Sequence, residues 1–331
     1  MNIIFESLLA KDITAYIDYK RALGRKYDNE EKALWLFDRF LIEQPIISAT
    51  EIQPVLIESF LNSRPRSQPK SYNHLLGVIR CFFDWLIKQE QLMHSPVKTF
   101  PKRVTSQRRP FLFEPVQVDL VLKVTNQLPD NSKALYRHST YTLIFSLMYG
   151  LGLRVGETVK LQYRDINRER QFLEIKKSKF GKTRLVPFGP QMGMRIDEYL
   201  SERNERHGYW QPQTPIFSFT HTKDGQPKPV RIETVSQTFH KLMLKLNFTI
   251  PPGVRAPHLH CLRHSFAVET LLRWYRNDMD PSQRLFHLST FMGHVDPIST
   301  AWYLTITDAL FKEANHRFES FVNEQYKEGL L

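Results

Sequence analysis

Five short segments of this chain carry side chains able to grip an anion, move a proton or attack as a nucleophile. They are Arg154 in Gly-Leu-Arg-Val-Gly-Glu157, Lys179 in a basic turn, His260-x-x-Arg263, Gly293-His294, and Tyr303, nine residues beyond His294. Guanidinium groups offer planar forks of donors that match carboxylates and phosphates and stay charged at working pH. Imidazoles exchange protons near neutrality, an ammonium can give one up, and a phenol can form a covalent intermediate. Singly, each residue also has an ordinary reading. Arg154 caps a helix or pairs with Glu157, Lys179 is a solvated turn lysine, His260 is a satisfied buried histidine, and Tyr303 is one tyrosine of 13. His260 and His264, with His258 and Cys261 close by, have metal-ligand spacing as well. Cys261, however, stands where the HExxH pattern has glutamate, and the other cysteine, Cys81, is remote in the sequence.

The background is basic. The 331 residues hold 46 Lys plus Arg against 34 Asp plus Glu, a formal charge of +12. Such an excess suits a polyanionic partner, because each phosphate neutralised releases condensed counterions; scattered surface lysines give the same total. Arg64, Arg66, Lys70 and Arg80 follow one another with no acid between Glu58 and Asp84. Residues 98–109, KTFPKRVTSQRR, add Lys102, Arg103, Arg108 and Arg109 in a stretch that also lacks acids. With Lys182, near Lys179, these are the candidate DNA-contacting residues. An ordinary composition, 41% hydrophobic and 24% charged, excludes a collagen-like or wholly disordered chain. Two cysteines make no disulfide framework and favour a reducing compartment. The first residues, MNIIFESLLAKD, carry Glu6 early and do not read as a basic-then-apolar signal pattern, and the apolar run Leu143 to Leu153 is well short of the ~20 residues a membrane span needs. The expectation is a cytoplasmic, nucleoid-associated protein.

Hydrophobic periodicity predicts the elements that must position these residues. Four helices fill the first hundred residues: about 8–23, stopped at Gly24; from Asp28 to before Pro45; one opened by a Thr50–Gln53 capping box; and one after Ser71 carrying Leu75, Ile79, Phe82, Phe83 and Leu86. Helical patterns at 115–127 and 133–149 lead into the Arg154 segment. Residues 172–187, FLEIKKSKFGKTRLVP, read as a β-hairpin with a basic turn. Helices follow near 190–204, 233–246, 260–275, 285–292 and 307–325. The expected organisation is a helical domain over 1–98, a basic linker over 99–110 and a larger domain over 111–331.

As an ordered set, the five segments resemble the tyrosine recombinase, or phage integrase, family. Its pattern of Arg, hairpin Lys, His-x-x-Arg, Gly-His and Tyr falls on Arg154, Lys179, His260, Arg263, His294 and Tyr303. Glu157, the Arg-Leu-Val-Pro run at 184–187 and Ser299-Thr300 agree too. The resemblance implies a mainly α fold with a small β-sheet, made of a four-helix SAM-like core-binding domain and a mixed α/β, mostly helical catalytic domain. It also implies a DNA strand transferase that needs neither metal nor other cofactor. Arg154, Arg263 and His294 would hold the scissile phosphate while Tyr303 attacks it. The arginines would favour the phenolate, His260 would take the proton, and Lys179 would protonate the leaving 5′-oxygen. The product is a 3′-phosphotyrosyl bond. The implied partners are double-stranded recombination sites and three further copies of the chain, docked through 307–325 as a homotetramer.

Several readings stay open within that resemblance. Integration, excision or transposition of a mobile element, an Xer-like dimer resolvase, and a type IB topoisomerase share the chemistry. A DNA-binding partner with decayed catalysis lacks it. Arg273 to Leu285 is several residues longer than usual for the family, which leaves a surface insertion, an oligomer contact and a substrate-specific element as open readings.

Overall fold

The computed structural model describes residues 3–104, 108–176, 183–207, 210–221, 227–277, 279–294, 296 and 298–305. The chain divides into two compact units, Met1–Gln107 and Arg108–Leu331.

In the first unit, α1 (Ala10–Ala22), α2 (Asp28–Ile42), α3 (Pro54–Ser63) and α4 (Pro69–Lys88) enclose one core. α4 is the most clearly two-faced, burying Leu75, Leu76, Ile79, Phe82, Phe83 and Leu86. Phe37, Phe60 and Phe83 meet edge to face with ring centroids 5.0 and 5.9 Å apart, the arrangement that aligns ring edges with ring faces. The entry to α3 differs from expectation. Ser48 caps a short 3-10 turn at Ala49–Glu51, and α3 starts afresh at Pro54. Proline at the first helical position needs no intrahelical N–H partner, so it sets the boundary.

The second unit opens with α5 (Pro115–Thr125), α6 (Arg137–Gly150) and the single turn α7 (Val155–Thr158). The expected hairpin is β2 (Phe172–Ile175) against β3 (Arg184–Pro187), antiparallel, and β1 (Ile166–Asn167) adds an unforeseen third strand. Two residues are too short to show an alternating pattern, hence the omission. α8 (Pro190–His207) is followed by a second small ladder, β4 (Ser218–His221) with β5 (Pro227–Pro229). Then come α9 (Ile232–Leu246), α10 (Cys261–Arg276), α11 (Pro281–Met292) and α12 (Ile298–Ala301), with a 3-10 turn at Trp302–Thr305. The unit is mostly helical, as expected. Of the stretch from Arg273 to Leu285, Arg273–Arg276 close α10, in line with the helix expected near 260–275, and Pro281–Leu285 open α11. Residues 307–325 lie outside the described set.

From Thr140 to Met148 α6 is buried on almost every side, and α10 packs directly on it. Between them Gly152 turns the chain with φ +59, and a Cβ there would lie 2.4 Å from Cδ1 of the Phe266 ring. Both the backbone region and the space demand glycine. Gly152→Ala should therefore cost about 1–3 kcal/mol, read as a lower thermal midpoint in a melt monitored by circular dichroism.

Candidate active site

The Arg154 segment folds as it does because Glu157 sits three residues into a helix that Arg154 opens. The backbone N–H of Arg154 donates to Glu157 Oε2 (3.0 Å), and its Nη1 donates to Oε1 (2.7 Å). Arg184, on β3, donates to the same carboxylate from Nη1 (3.0 Å) and Nη2 (2.9 Å). Burial alone would raise the Glu157 carboxyl, but the hydrogen bonds and charge of Arg184, then those of Arg154, outweigh it and bring it down to about 2.

The Gly-His pair is a helix stop. Gly293 has φ +66 and ends α11; its N–H donates to Thr290 O (3.0 Å) and that of His294 to Ser289 O (2.9 Å). These are the two bonds of a Schellman motif, which explains glycine at this position. The three carbonyls that end the helix are taken by three arginines. Arg184 Nε donates to Phe291 O (2.9 Å), Arg263 Nη2 to Met292 O (2.7 Å) and Arg154 Nη2 to Gly293 O (2.9 Å). Helix C-termini leave such carbonyls without intrahelical donors and carry partial negative charge, so cations gather there.

Arg263 is wholly buried. Its Nη1 also donates to Gly152 O, while its buried Nε has no hydrogen-bond partner among the described residues. Burial, then the neighbouring Arg154, lowers its pKa to about 9, which still leaves a cation at neutral pH. His260 caps α10 and its ring meets that of His264 edge to face, centroids 4.6 Å apart. His294 Nδ1 lies 2.6 Å from Thr300 Oγ1, and its ring runs nearly parallel to that of Tyr303 at 6.3 Å.

Tyr303 is 2% exposed, packed with Ala267, Val268, Leu271, Leu288 and Met292. Its hydroxyl lies 2.9 Å from Nδ1 of His264, not on His260. Burial raises the phenol, the charges of Arg263 and Arg154 oppose it, and the outcome is about 12. The expected tilt towards phenolate is therefore reversed, because loss of hydration outweighs the two cations. A protonated phenol can donate to His264 Nδ1 in the tautomer that carries the imidazole proton on Nε2.

A family model described as "Phage integrase family" matches residues 117–309, more than half the chain, a span that contains every residue just described. The chain belongs to the phage integrase family. It is 30% identical to the putative integrase/recombinase y4rB of Sinorhizobium fredii over 95% of this chain and 98% of that one. It is 24% identical to tyrosine recombinase XerD of Lacticaseibacillus casei over 93% and 97%. Among solved structures, the Tn1549 transposon integrase with circular intermediate DNA superposes with a TM-score of 0.64 at 16% identity, over 95% of this chain and 99% of that one. A lambda integrase dimer bound to a COC′ core site gives 0.61 at 17%, over 89% and 76%. The fold is that of these recombinases, and the protein is a tyrosine recombinase acting in site-specific DNA recombination.

Of the six expected site residues in this family member, Arg154, His260, Arg263, His294 and Tyr303 lie in one region of the second unit; Lys179 and also Lys182 fall outside the described residues. Two participants were missed in their present roles. His264 drew notice only as a metal-ligand candidate, although it directly follows Arg263, and Arg184 only as part of Arg-Leu-Val-Pro. Among the described residues no group of three or more His, Cys, Asp or Glu is placed to hold a metal ion, and Cys261 Sγ lies 3.0 Å from His258 Nδ1.

The basic residues divide between the units. Arg66, Lys70 and Arg103 are exposed in the first, and Arg64 ends α3. Lys102 is fastened rather than loose: its backbone exchanges bonds of 2.7 and 2.8 Å with the Asn73 side chain, and its Nζ lies 4.2 Å from the Tyr72 ring centre. Arg80 likewise donates to Thr99 O (2.6 Å). Thus the first part of the basic stretch runs along α4. In the second unit Arg108 is exposed, and Arg109 forms a bridge with Val254. Among the described residues no helix is long and apolar enough to cross a membrane.

The three site histidines have one consequence for stability. Burial first, then neighbouring positive or imidazole groups, depress His260 to about 4, His264 to about 3 and His294 to about 4. Unfolded histidine titrates near ~6.5, so below that pH the unfolded chain binds protons the native site refuses. Stability from this source is complete above ~6.5 and is lost progressively as pH falls towards the native values. Thermal midpoints should drop between about pH 7 and pH 5, and a His260→Asn/His264→Asn double variant should show a shallower slope. An unchanged slope in that variant would place the acid sensitivity elsewhere.

Proposed function

We propose that Tyr303 is the nucleophile of this recombinase and that the end of α11 organises the groups that hold the scissile phosphate. The observation that carries this reading is that Arg154 and Arg263, 109 positions apart in sequence, donate to adjacent carbonyls beside the turn bearing His294. A phosphodiester drawn into that place meets two cationic forks and an imidazole. Donors fixed in advance where charge builds up on the non-bridging oxygens are a large catalytic contribution.

In the proposed step the Tyr303 oxygen attacks phosphorus in line, forming the 3′-phosphotyrosyl bond as the bond to the 5′-oxygen breaks. The phenolic proton leaves towards His264 Nδ1, its hydrogen-bond partner, with His260 behind it. Both imidazoles are neutral at pH 7 and can accept. Lys179 supplies a proton to the departing oxygen. The phosphotyrosyl ester keeps the energy of the cut bond, so a second 5′-hydroxyl can rejoin the strand without nucleotide hydrolysis.

The partner is duplex DNA carrying specific recombination sites, with the 1–98 region as core-binding domain, 99–110 as basic linker, and 111–331 as catalytic domain. Arg64, Arg66, Lys70, Lys102, Arg103, Arg108, Arg109 and Lys182 contact its backbone, and four copies assemble on two duplexes through residues 307–325. Mobility of a genetic element is the favoured role. It is supported by relatives named integrase/recombinase and by the likeness to a transposon integrase. The test is to tile nicked duplexes from the DNA flanking the gene and look for a protease-sensitive covalent adduct at Tyr303. An adduct on another residue, or none on any duplex, overturns the reading. Relaxation of site-free supercoiled plasmid by monomer would favour a topoisomerase instead.

A further inference from the structure

Three arginines close the end of α11, and only two belong to the phosphate-holding set. The third, Arg184, spends three donors on two targets: Nη1 and Nη2 on Glu157, at 3.0 and 2.9 Å, and Nε on Phe291 O, at 2.9 Å. Its side chain is 9% exposed. It stands on β3, the strand entered from the segment that holds Lys179, and β3 lies against α11. We propose that Arg184 is a positioning residue of the active site, fixing Arg154 through the shared Glu157 carboxylate and the Gly293-His294 turn through the Phe291 carbonyl. This rests on the reading of Tyr303 as nucleophile and adds a residue to it.

The geometry explains the residue types. A bidentate grip on a carboxylate with a third donor turned aside requires the planar guanidinium fork, which an ammonium lacks. Glu157 is the shared joint, since its two oxygens accept from Arg154 and Arg184 together. Gly293 leaves room for the fork, because a Cβ there would lie 2.8 Å from Arg184 Nη1. Removing the fork frees the Arg154 side chain to rotate with Glu157 and unpins the turn that carries His294. An error of an ångström in such placement costs on the order of 10²-fold in rate.

The experiment uses the full chain and a nicked duplex on which the unaltered protein forms its covalent adduct. Arg184→Met should slow single-turnover cleavage at saturating duplex by roughly 10²-fold. The duplex concentration for half-maximal rate should stay within about threefold, since the lost contact is not to DNA. Glu157→Gln breaks the same bridge, so the double variant should be little slower than the slower single one. Full-rate cleavage by Arg184→Met, or losses that multiply in the double variant, overturns the proposal. If Arg184→Met does not fold, Arg184→Lys takes its place: it keeps the charge but cannot span both targets, so slow cleavage supports the proposal and an unaltered rate overturns it. Independently of cleavage, the guanidinium Nε–H resonance of Arg154 should move in either variant. An unmoved resonance overturns the proposal even if no duplex is cut, whereas a moved resonance without any adduct from the unaltered protein supports it and faults the nucleophile assignment instead.

Discussion

Tyr303→Phe should bind duplex DNA as the unaltered protein does and form no covalent adduct, a loss of at least roughly 10³-fold in cleavage. The substitution removes one oxygen from a side chain that is 2% exposed and packed between α10 and α11. The ring stays, so the apolar contacts stay. The hydroxyl that disappears is both the proposed attacking atom and the hydrogen-bond partner of His264 Nδ1. Leaving that buried nitrogen without its partner costs about 1–3 kcal/mol, so the variant should melt somewhat lower while remaining folded. Gel-shift titration, adduct formation on a nicked duplex and a thermal melt separate the three effects. Cleavage at an appreciable rate by Tyr303→Phe would remove the nucleophile from its role.

Arg263→Ala should fail twice over. As a donor aimed at the phosphate, its loss should reduce the rate by about 10²–10³-fold, the usual effect of removing one preorganised donor. As a structural group, it is wholly buried and joins Gly152 O to Met292 O, two segments distant in sequence. Truncation leaves both carbonyls without that donor and opens a cavity the size of the side chain, costing on the order of 3 kcal/mol or more. Arg263→Lys separates the two roles. It keeps the cation and can satisfy one carbonyl, so its melt should lie between the other two. It cannot present a fork, so its cleavage should stay low. If Arg263→Lys cuts at the unaltered rate, a point charge suffices and the fork is not what the reaction uses. The measurements are single-turnover cleavage and calorimetric unfolding of the three proteins under identical salt, because DNA affinity itself changes steeply with salt.

Much of this was legible along the chain. The helical spacing of Leu75, Ile79, Phe82, Phe83 and Leu86 placed α4, which begins at Pro69, slightly before the expected start after Ser71, and the two apolar runs flanking a basic turn in 172–187 placed β2 and β3. Such patterns are local: each records which face of a helix or strand the residue itself presents to a core. Glu157, three after Arg154, likewise announced its own ion pair. The short β1 and the restart of α3 at Pro54 were harder, because two-residue strands and helix ends leave little periodic signal.

What the sequence determined by itself is which polar groups the protein owns and the family their order belongs to. Only the tertiary structure decided which groups meet. Tyr303 reaches His264, one helical turn past His260, since the choice depends on the angle at which the 302–305 turn meets α10. Three arginines converge on Phe291, Met292 and Gly293 through their carbonyls. A carbonyl is present at every residue and leaves no mark on residue type, so no spacing rule could point to it. The phenol is protonated for a related reason. Hydration is lost through all the atoms that bury it, whereas the cations beside it are only two.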